Sequence, residues 1–356
     1  MKCIEVKLKD KSYPLHIEKG IFNKIGTEIK KIYKNDIISI VTDTNLDRIY
    51  GEKLVKLLQA EGYIVSKIVV PAGEKSKSIE TLTEVYKELL ESGIHRGDLI
   101  IAFGGGVVGD LTGFAASTLF RGISFVQIPT SLLAQIDSSI GGKVAVDLKE
   151  GKNLVGSFYH PESVYIDSEL LKTLEDKFLY DGMAEVIKYG AIKDEQLFNK
   201  LFNFKNKEDL LENIDEIIYN CCSIKRDVVE IDEKDIGERM LLNFGHTIGH
   251  AIEKYFNYEK YTHGEAVAAG MYLITKNSED LGITEKGTAD LIYKMLIKYN
   301  LPVTVPQTDA KALLDIVSLD KKNIAGSLNI VLIKKIGDSF IKKIERKDAG
   351  QYLARR

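Results

Sequence analysis

The spacing of apolar and polar positions changes character along this chain. Short apolar runs rich in β-branched residues recur over the first half, at 36–43, 63–70, 98–103, 124–130 and 163–167. Residues 1–20 alternate like a pair of strands, while 45–62 and 78–93 carry apolar residues at helical spacing. Strands that alternate with helices predict βαβ units and a mainly parallel sheet, whose ligands gather at the carboxyl ends of the strands.

From about residue 170 long helical patterns dominate, at 177–192, 210–231, 239–256 and 264–282, and a hairpin pattern at 327–344 turns at Gly337–Asp338. We therefore predict an α/β N-terminal domain with a mainly parallel, Rossmann-like sheet over residues 1–172. A mostly α-helical C-terminal domain is predicted over 173–356. A cleft between two such domains is the expected place for an active site.

Composition narrows the class of protein. The 356 residues are 44% hydrophobic and 28% charged, which is ordinary for a globular protein. A net charge of -3 offers no electrostatic reason to expect nucleic acid or a membrane surface as a partner. We expect neither a signal peptide nor a membrane span. Cys3, Cys221 and Cys222 do not suggest a disulfide framework, so a cytoplasmic protein is expected.

One stretch, IIAFGGGVVGDLTGF at 100–114, follows an apolar run with three glycines. Gly104, Gly106 and Gly109 satisfy G-x-G-x-x-G, a spacing that brings backbone N–H groups and a helix N-terminus to a pyrophosphate. The full dinucleotide fingerprint also requires an acidic residue about 20 positions later, and none is present there. A standard Rossmann motif is therefore not supported by this stretch alone.

Polar residues after two earlier runs could supply the missing contacts. Asp43 and Asn45 follow the run at 36–43, and Glu74 and Lys77 follow the run at 63–70. The carboxyl ends of parallel strands meet at one edge of a sheet, so these side chains are expected to converge. The alternative is a set of tight turns and helix caps, because Asp43 and Thr44 are good N-caps.

Three of the six histidines lie within eighteen residues. His246 and His250 are spaced i, i+4 on one helical face, and His263 opens the next helix. A catalytic zinc ion needs three protein ligands and one open position. Spacing does not decide which two histidines would join a carboxylate, or which carboxylate it would be; the candidates are Glu185, Glu253 and Glu265.

Cations and amides are numerous in the rest of the chain. Lys143, Lys152 and Asn153 lie beside glycines and other small residues in predicted loops, where backbone can approach a ligand. Further positive charge comes from Lys188, Lys225, Arg239, Lys321 and Lys322. Together with a dinucleotide loop and a metal cluster, they indicate a substrate with several negative charges, such as phosphate and carboxylate.

Several long blocks together resemble the 3-dehydroquinate synthases, which belong to the sugar phosphate cyclases. The blocks are VTDTNL, PAGEKSKS, GGGVVGDLTGFAAST, RGISFVQIPTSLLAQIDSSIGGKVAVD, GKNLVGSFYHP, MAEVIKYG, RMLLNFGHTIGHAIE and HGEAVAAGM. They extend nearly from end to end, so the resemblance implies the dehydroquinate synthase-like fold. It also implies an N-terminal domain that binds NAD and a C-terminal domain that binds metal and substrate.

The resemblance implies roles for the histidines and for one carboxylate. The family's zinc ligands match Glu185, His246 and His263, and the family's acid/base residue matches His250. Lys152 and Asp235 match further catalytic positions. At the position of Asp235 many family members have glutamate, whose side chain is longer. At the position of Ser131 many have threonine, so the hydroxyl group is kept.

The resemblance also assigns binding residues. Contacts with NAD fall on Asp43, Asn45, Glu74, Lys77, Gly105, Gly106, Val107, Asp110, Thr130, Ser131, Lys143, Lys152 and Thr173. Contacts with substrate fall on Arg121, Asp137, Lys143, Asn153, Lys188, Lys225, Arg239, Asn243 and Lys321, the last chosen over Lys322.

The implied reaction converts 3-deoxy-D-arabino-heptulosonate 7-phosphate to 3-dehydroquinate and phosphate, a step of the shikimate pathway. It would use catalytic NAD, Zn²⁺ or Co²⁺, and a cytoplasmic homodimer. Lys143, Lys188 and Lys225 would surround the phosphate, while Arg239 and Asn243, on one helix face at i, i+4, would hold the carboxylate and hydroxyls. The alternatives are another cyclase such as 2-deoxy-scyllo-inosose synthase, a glycerol-type alcohol dehydrogenase, or a non-catalytic NAD-binding regulator.

Overall fold

The computed structural model describes residues 1–305, 312, 316–317 and 327–353. The chain divides into two compact units, each made of two segments. Met1–Leu174 and Leu211–Glu233 form the first unit, and Glu175–Leu210 with Lys234–Arg356 form the second. The predicted boundary between residues 172 and 173 lies close to the point after Leu174 where the chain first passes from one unit to the other. Residues 211–233 differ from that prediction, because the structure groups them with the first unit.

The strands are β1 (Lys2–Lys7), β2 (Ser12–Ile17), β3 (Ile37–Asp43), β4 (Ile64–Val70), β5 (Leu99–Gly104), β6 (Ser124–Pro129), β7 (Lys143–Leu148), β8 (Gly151–Phe158), β9 (Ser163–Ile166), β10 (Ser327–Lys335) and β11 (Asp338–Glu345). The α-helices are α1 (Ile25–Ile32), α2 (Thr44–Leu46), α3 (Glu52–Gln59), α4 (Ile79–Glu91), α5 (Gly106–Thr118), α6 (Asp176–Lys193), α7 (Glu195–Leu201), α8 (Lys207–Glu212), α9 (Ile214–Ile231), α10 (His246–Tyr255), α11 (His263–Asp280), α12 (Thr288–Lys298) and α13 (Ala349–Leu353).

Short 3₁₀ helices lie at Ile21–Lys24, Glu74–Ser76, Leu119–Arg121, Ser168–Thr173, Glu238–Asn243 and Arg346–Asp348, and π-helical turns at Asp47–Gly51 and Ala134–Ser138. Within the described parts of the chain, no helix has both the length and the apolar character needed to cross a membrane.

The first unit contains a seven-stranded sheet with the order β1-β2-β9-β6-β5-β3-β4. Strands β1 and β2 pair antiparallel, and every other neighbouring pair is parallel. The five apolar runs form β3, β4, β5, β6 and β9, so the predicted mainly parallel sheet is confirmed. All six residues of β5 are buried, as expected for a central parallel strand that is covered on both faces.

Helices cover both faces of this sheet. Apolar residues of α1 and α3 join one hydrophobic cluster with β3, β5 and β6. Those of α4 and α5 join a second cluster, which also includes Val144 and Val146 of β7. The core is therefore doubly wound, and the carboxyl ends of β3, β4, β5 and β6 are neighbours at one edge.

The hairpin of β7 and β8 was not among the predicted elements. These strands pair antiparallel from Lys143 opposite Phe158 to Leu148 opposite Gly151. Lys143, Lys152 and Asn153, predicted to lie in loops, therefore lie on strands. Apolar residues in VAVDL give β7 one buried face, which packs against α5. The hydrogen bonds between β7 and β8 also satisfy backbone groups that would otherwise bond to water in a loop.

Helix α9 explains why residues 211–233 belong to the first unit. Its apolar stripe buries Ile217, Ile218 and Cys221, and the helix packs against β1 and the turn Ala134–Ser138. The buried thiol of Cys222 donates to the backbone carbonyl of Gln135 at 3.3 Å. None of the three cysteines forms a disulfide. An amphipathic helix pattern predicts a buried face but does not say which neighbour covers it.

The second unit is mostly helical, as predicted. Helix α6 is buried over most of its length, and α11 packs against α6, α10 and α12. Strands β10 and β11 form the predicted hairpin. Its register pairs Lys335 with Asp338, so the turn residues are Ile336 and Gly337 rather than Gly337 and Asp338.

The pattern predicted as one helix over 239–256 is divided by Gly245. A 3₁₀ helix ends at Asn243, Gly245 adopts a left-handed conformation with φ 80°, and α10 begins at His246. Arg239 and Asn243 therefore do not share a face as predicted. With three residues per turn, positions i and i+4 are about 120° apart around a 3₁₀ helix.

Replacing Gly245 with alanine is expected to destabilise the second unit by about 2–4 kcal/mol. A Cβ atom there would lie 2.5 Å from Met271 Cγ and 2.7 Å from the Val267 carbonyl oxygen, in addition to the unfavourable φ. Gly282→Ala is the matched control, because Gly282 has φ 70° and no atom within 4 Å of the added Cβ. Urea denaturation should show a loss of only about 1 kcal/mol for the control. Equal losses would mean that the contact with α11 contributes nothing.

Candidate active site

Three side chains of the second unit converge on one point. Glu185 lies in the middle of α6, His246 is the first residue of α10, and His263 is the first residue of α11. One carboxylate oxygen and one ring nitrogen from each histidine lie within 4.8 Å of one another. Donor atoms this close, on three separate helices, could hold a single metal ion.

Hydrogen bonding orients the two imidazole rings. Nδ1 of His246 lies 3.1 Å from the backbone oxygen of Phe244, so that Nδ1–H donates and Nε2 keeps its lone pair. Nε2 of His246 and Nε2 of His263 lie 3.4 and 3.5 Å from Oε1 of Glu185. Both carboxylate oxygens of Glu185 are buried and accept no hydrogen bond of suitable geometry. A donor set of two nitrogens and one carboxylate fits Zn²⁺ or Co²⁺.

The electrostatics of the cluster favour an ionised carboxylate. Burial acts to raise the pKa of Glu185, but the charge of Lys188 and the neighbouring imidazoles of His246 and His263 outweigh it and hold the pKa well below its usual value. Burial lowers the pKa of His246, which keeps this ring neutral. For His263 burial also acts to lower the pKa, but Glu185 and Glu253 outweigh it and raise the pKa.

The other candidate ligands have different surroundings. Glu265 completes a capping box with Thr262, in which its Oε2 accepts the Thr262 N–H at 2.8 Å. Oε2 of Glu253 faces Nδ1 of His263 at 3.5 Å. His250 is exposed, and its ring centroid lies 5.4 Å from that of His246 and 6.0 Å from that of His263. His250, Glu253 and His263 form a second group with metal-ligand spacing.

Polar and glycine residues predicted to contact NAD follow four neighbouring strands of the first unit. Asp43 and Asn45 follow β3, Glu74 and Lys77 follow β4, the glycines follow β5, and Thr130 and Ser131 follow β6. Because these strands are parallel neighbours in the order β6-β5-β3-β4, all four groups lie at one edge of the sheet.

Helix α5 begins at this edge. Gly105 is its N-cap, Gly106 and Val107 form its first turn, and Asp110 lies in the second turn. The free N–H groups and the helix dipole make this terminus suited to a phosphate group. Asp43 is itself an N-cap, since its Oδ1 accepts the N–H groups of Asn45 and Leu46 at 2.8 and 3.1 Å. The capping alternative for Asp43 is thus realised at the same edge.

A buried ion pair connects three of the predicted residues. Lys77 is 5% exposed, and its Nζ lies 2.5 Å from Oδ2 of Asp110 and donates to Oδ1 of Asn153, also at 2.5 Å. Burial acts to lower the pKa of Lys77, but Asp110 and Glu74 outweigh it and raise the pKa. Lys152 pairs with Glu74 at 3.4 Å. Residues assigned separately to NAD and to substrate therefore form one polar cluster.

Sequence reasoning missed Asp147 in this cluster. Its Oδ1 accepts the backbone N–H of Asn153 at 2.8 Å, and Asn153 has a left-handed conformation with φ 56°. Asp147 thereby fixes the turn of the β7–β8 hairpin that carries Lys152 and Asn153. Asp147 could have been found only from the β7–β8 hairpin, whose residues were predicted to lie in loops.

Asp137 and Lys225 form a second, partly buried ion pair in the first unit. Asp137 lies in the π-helical turn after β6, and Lys225 lies in α9, where the two side chains form an ion pair. They are separated by 88 residues in sequence, so no local pattern could have joined them.

Three other predicted residues lie at exposed positions. Arg121 is exposed and precedes β6, which places it at the opposite end of the sheet from the glycine loop. Lys143 is exposed at the start of β7, and Thr173 is exposed with its Oγ1 3.1 Å from the Tyr50 hydroxyl. Their roles stay predictions.

The remaining predicted residues belong to the second unit. Lys188 is buried and forms an ion pair with Glu185 one turn away. Arg239 is 2% exposed, Asn243 is half-buried, and Asp235 is half-buried with φ 59°. Lys321 lies outside the described residues.

Comparison with protein families identifies both halves of the chain. The family model described as "3-dehydroquinate synthase N-terminal" matches residues 67–181, and the model "3-dehydroquinate synthase C-terminal" matches residues 182–323. The chain is 57% identical over 353 residues to the 3-dehydroquinate synthase of Clostridium acetobutylicum, covering 99% of each chain. It is 59% identical over 342 residues to that of Clostridium botulinum, covering 96% of this chain and 98% of the other.

Solved structures with the same fold include other cyclases. A 2-epi-5-epi-valiolone synthase from Streptomyces hygroscopicus with NAD⁺ and Zn²⁺ bound has a TM-score of 0.88 at 25% identity, covering 98% and 97% of the two chains. A 2-deoxy-scyllo-inosose synthase complexed with carbaglucose-6-phosphate, NAD⁺ and Co²⁺ has a TM-score of 0.86 at 23% identity, covering 99% and 100%. The predicted dehydroquinate synthase-like fold is confirmed. From the two family models and the full-length relatives, the chain belongs to the 3-dehydroquinate synthase family.

Proposed function

We propose that this chain converts 3-deoxy-D-arabino-heptulosonate 7-phosphate to 3-dehydroquinate and phosphate. The reaction would combine transient oxidation, β-elimination of phosphate, reduction and intramolecular aldol closure, so the enzyme is a carbon–oxygen lyase with no net redox change. The observation that carries the proposal is the convergence of Glu185, His246 and His263 in a chain of this family.

Glu185, His246 and His263 would hold a Zn²⁺ or Co²⁺ ion. Bound there, such an ion lowers the pKa of a coordinated hydroxyl and so prepares it for oxidation. The lowered pKa values favour an ionised Glu185 and a neutral His246, the forms that ligands require, while His263, whose pKa is raised by Glu185 and Glu253, would lose a proton on binding the ion. The Phe244 carbonyl maintains the tautomer of His246.

NAD⁺, which takes up a hydride and returns it, would bind at the edge formed by β3, β4, β5 and β6. The α5 N-terminus would receive its pyrophosphate, and Thr130 and Ser131, which follow β6 at the same edge, would contribute hydroxyl groups. Lys77 and Asp110 hold each other in place, so neither must be ordered when the cofactor binds.

The anionic groups of the substrate would be bound by cations. Lys143, Lys188 and Lys225 would supply charge-assisted hydrogen bonds to phosphate, and Arg239 with Asn243 would bind the carboxylate and hydroxyls. Lys188 and Lys225 are each oriented by a carboxylate, from Glu185 and Asp137. The leaving phosphate could accept the proton in its own elimination, which would spare the protein a dedicated base.

His250 is the candidate acid/base residue, because it is exposed and its ring lies beside those of both histidine ligands. Lys152 and Asp235 are further catalytic candidates. The homodimer and the cytoplasmic location stay predictions.

The proposal is tested with the purified protein, trace NAD⁺, Zn²⁺ and the heptulosonate phosphate. We expect phosphate release to continue for many turnovers per NAD⁺ while NADH absorbance stays near zero. Accumulation of NADH without phosphate would indicate a glycerol-type dehydrogenase instead. Glucose 6-phosphate, which lacks the carboxylate, serves as the control substrate, and its turnover would favour a cyclase of the inosose synthase type.

Replacing Arg239 with alanine is expected to remove about 2–4 kcal/mol of transition-state stabilisation. This loss should appear as a lower kcat/KM, with a higher KM and a lower kcat. The reason is loss of a guanidinium that binds a carboxylate through two hydrogen bonds. Arg239→Lys keeps the charge but not the paired hydrogen bonds, and we expect it to recover only part of the loss. Steady-state kinetics of the alanine variant within tenfold of the parent would argue against this role.

A further inference from the structure

His263 is the one proposed metal ligand whose second ring nitrogen faces a carboxylate. Its Nε2 lies 3.5 Å from Oε1 of Glu185, and its Nδ1 lies 3.5 Å from Oε2 of Glu253. Glu253 is 3% exposed and lies in α10, seven residues after His246. Positions i and i+7 share a helix face, so α10 presents one ligand and this carboxylate on the same side.

The two nitrogens of an imidazole ring point in different directions. An ion held by Glu185 and by Nε2 of His263 therefore leaves Nδ1–H directed at Glu253. A carboxylate in this position fixes the tautomer and the ring orientation of a metal-binding histidine and increases its basicity. Glu253 would thus act on the ion through His263 and not as a ligand.

The backbone next to His263 is held by a residue of α6. Oδ1 of Asp181 accepts the N–H of Gly264 at 2.6 Å, and Asp181 is 8% exposed. Asp181 lies in α6 four residues before Glu185, so one face of α6 carries both the ligand and this contact. A hydrogen bond of this kind ties the first turn of α11 to α6.

The close approach of these helices depends on Gly264. A Cβ atom at Gly264 would overlap the backbone oxygen of Asp181 and lie 2.7 Å from its Oδ1. A side chain there would push the start of α11, and His263 with it, away from α6. The absence of a side chain at Gly264 and the hydrogen bond from its N–H to Asp181 therefore both keep His263 close to Glu185.

We propose that Glu253 and Asp181 are positioning residues for His263, Glu253 by orienting its ring and Asp181 by fixing its backbone. This inference rests on the proposed metal centre, and it assigns the two carboxylates to the strength and geometry of metal binding. The competing role for Glu253 is that of a ligand to a second ion with His250 and His263, which have suitable spacing.

Binding of Co²⁺ to the metal-stripped full-length protein tests the proposal. Affinity is measured by competition with a chelator, and the visible absorption of bound Co²⁺ reports its coordination. For Glu253→Ala and Asp181→Ala we expect binding weakened about 10- to 100-fold, at one ion per chain and with an altered spectrum. Glu253→Gln retains an oxygen acceptor but no charge, and we expect about three- to tenfold weaker binding.

Glu265→Gln is the matched control. It removes a carboxylate from the first turn of α11, and glutamine preserves the capping box with Thr262. We expect its Co²⁺ affinity to stay within about twofold of the parent, since the Glu265 side chain is engaged by the N–H of Thr262. Thermal melting of each variant without metal shows whether the fold is retained. A merely structural role would lower the melting temperature and leave the Co²⁺ spectrum of the folded protein unchanged.

Two results would overturn the proposal for Glu253. Binding within twofold of the parent would show that the contact has no effect, and loss of an entire ion per chain, either one of two or the single one, would show direct coordination by Glu253. If Glu253→Ala does not fold, Glu253→Gln decides by the same limits. Failure of the proposed metal centre looks different, because then the parent would bind no Co²⁺ or Glu185→Ala would bind it normally.

Discussion

Replacing Glu185 with alanine is expected to abolish metal retention and to reduce turnover by at least about a thousandfold. Glu185 is fully buried and is the carboxylate that both histidines face, so its removal leaves only two ligands. His246→Ala should have the same effect. Metal content of the purified variants, measured by elemental analysis, should fall from about one ion per chain to none. Stoichiometric zinc in either variant would refute the ligand set.

The control for this experiment addresses folding. Removal of Glu185 alone leaves the buried Lys188 without that counter-charge, which can cost about 3–5 kcal/mol. The double variant Glu185→Gln, Lys188→Met removes both charges and approximately conserves volume. We expect it to be as stable as the parent in urea and still free of metal, so that loss of the ion is separated from loss of the fold.

The second large effect is expected at Lys77. Lys77→Met should destabilise the first unit by about 3–5 kcal/mol, because the Asp110 carboxylate loses a partner at a site where water is scarce. NAD⁺ binding should weaken as well, since the cluster at the edge of the sheet loses its central cation. Urea denaturation and titration with NAD⁺, followed by calorimetry, measure the two effects.

Two further variants make this result specific. Lys77→Met with Asp110→Asn removes both charges and should recover more than half of the lost stability. Lys67→Met breaks a more exposed pair with Asp47, also 2.5 Å long, and should cost less than about 1 kcal/mol. If Lys77→Met costs no more than Lys67→Met, burial of the Lys77–Asp110 pair has no energetic consequence.

The elements of the first unit were predictable because each is encoded over a short stretch. Strand β5 is a continuous apolar run that ends in glycine, and α4 combines helical spacing with Ser78, whose Oγ accepts the Thr81 N–H at 3.1 Å. The β7–β8 hairpin was missed because its glycines and lysines also suit a loop. What decides between them is the packing of Val144 and Val146 against α5, which is not local.

The three histidines were predictable as a group, but the ligands among them and the carboxylate were not. Spacing brought His246, His250 and His263 together and left open which two would join a carboxylate, and whether that would be Glu185, Glu253 or Glu265. Glu265 is engaged in a capping box, Glu253 faces the far nitrogen of His263, and Glu185 faces both Nε2 atoms. Resemblance to a family named Glu185, but the residues themselves could not, because the choice depends on how α6, α10 and α11 pack.

By itself, the amino-acid sequence determined the alternation of strands and helices, the glycine loop at a strand end and the histidine pattern, since these follow from local spacing and side-chain chemistry. The tertiary structure alone decided the strand order, the return of residues 211–233 to the first unit, the break at Gly245 and the partners of each buried charge. Asp137 contacts Lys225, which is 88 residues away in sequence. Asp181 accepts the N–H of Gly264, which is 83 residues away. Contacts over such separations are selected by packing, and no periodicity in the sequence encodes them.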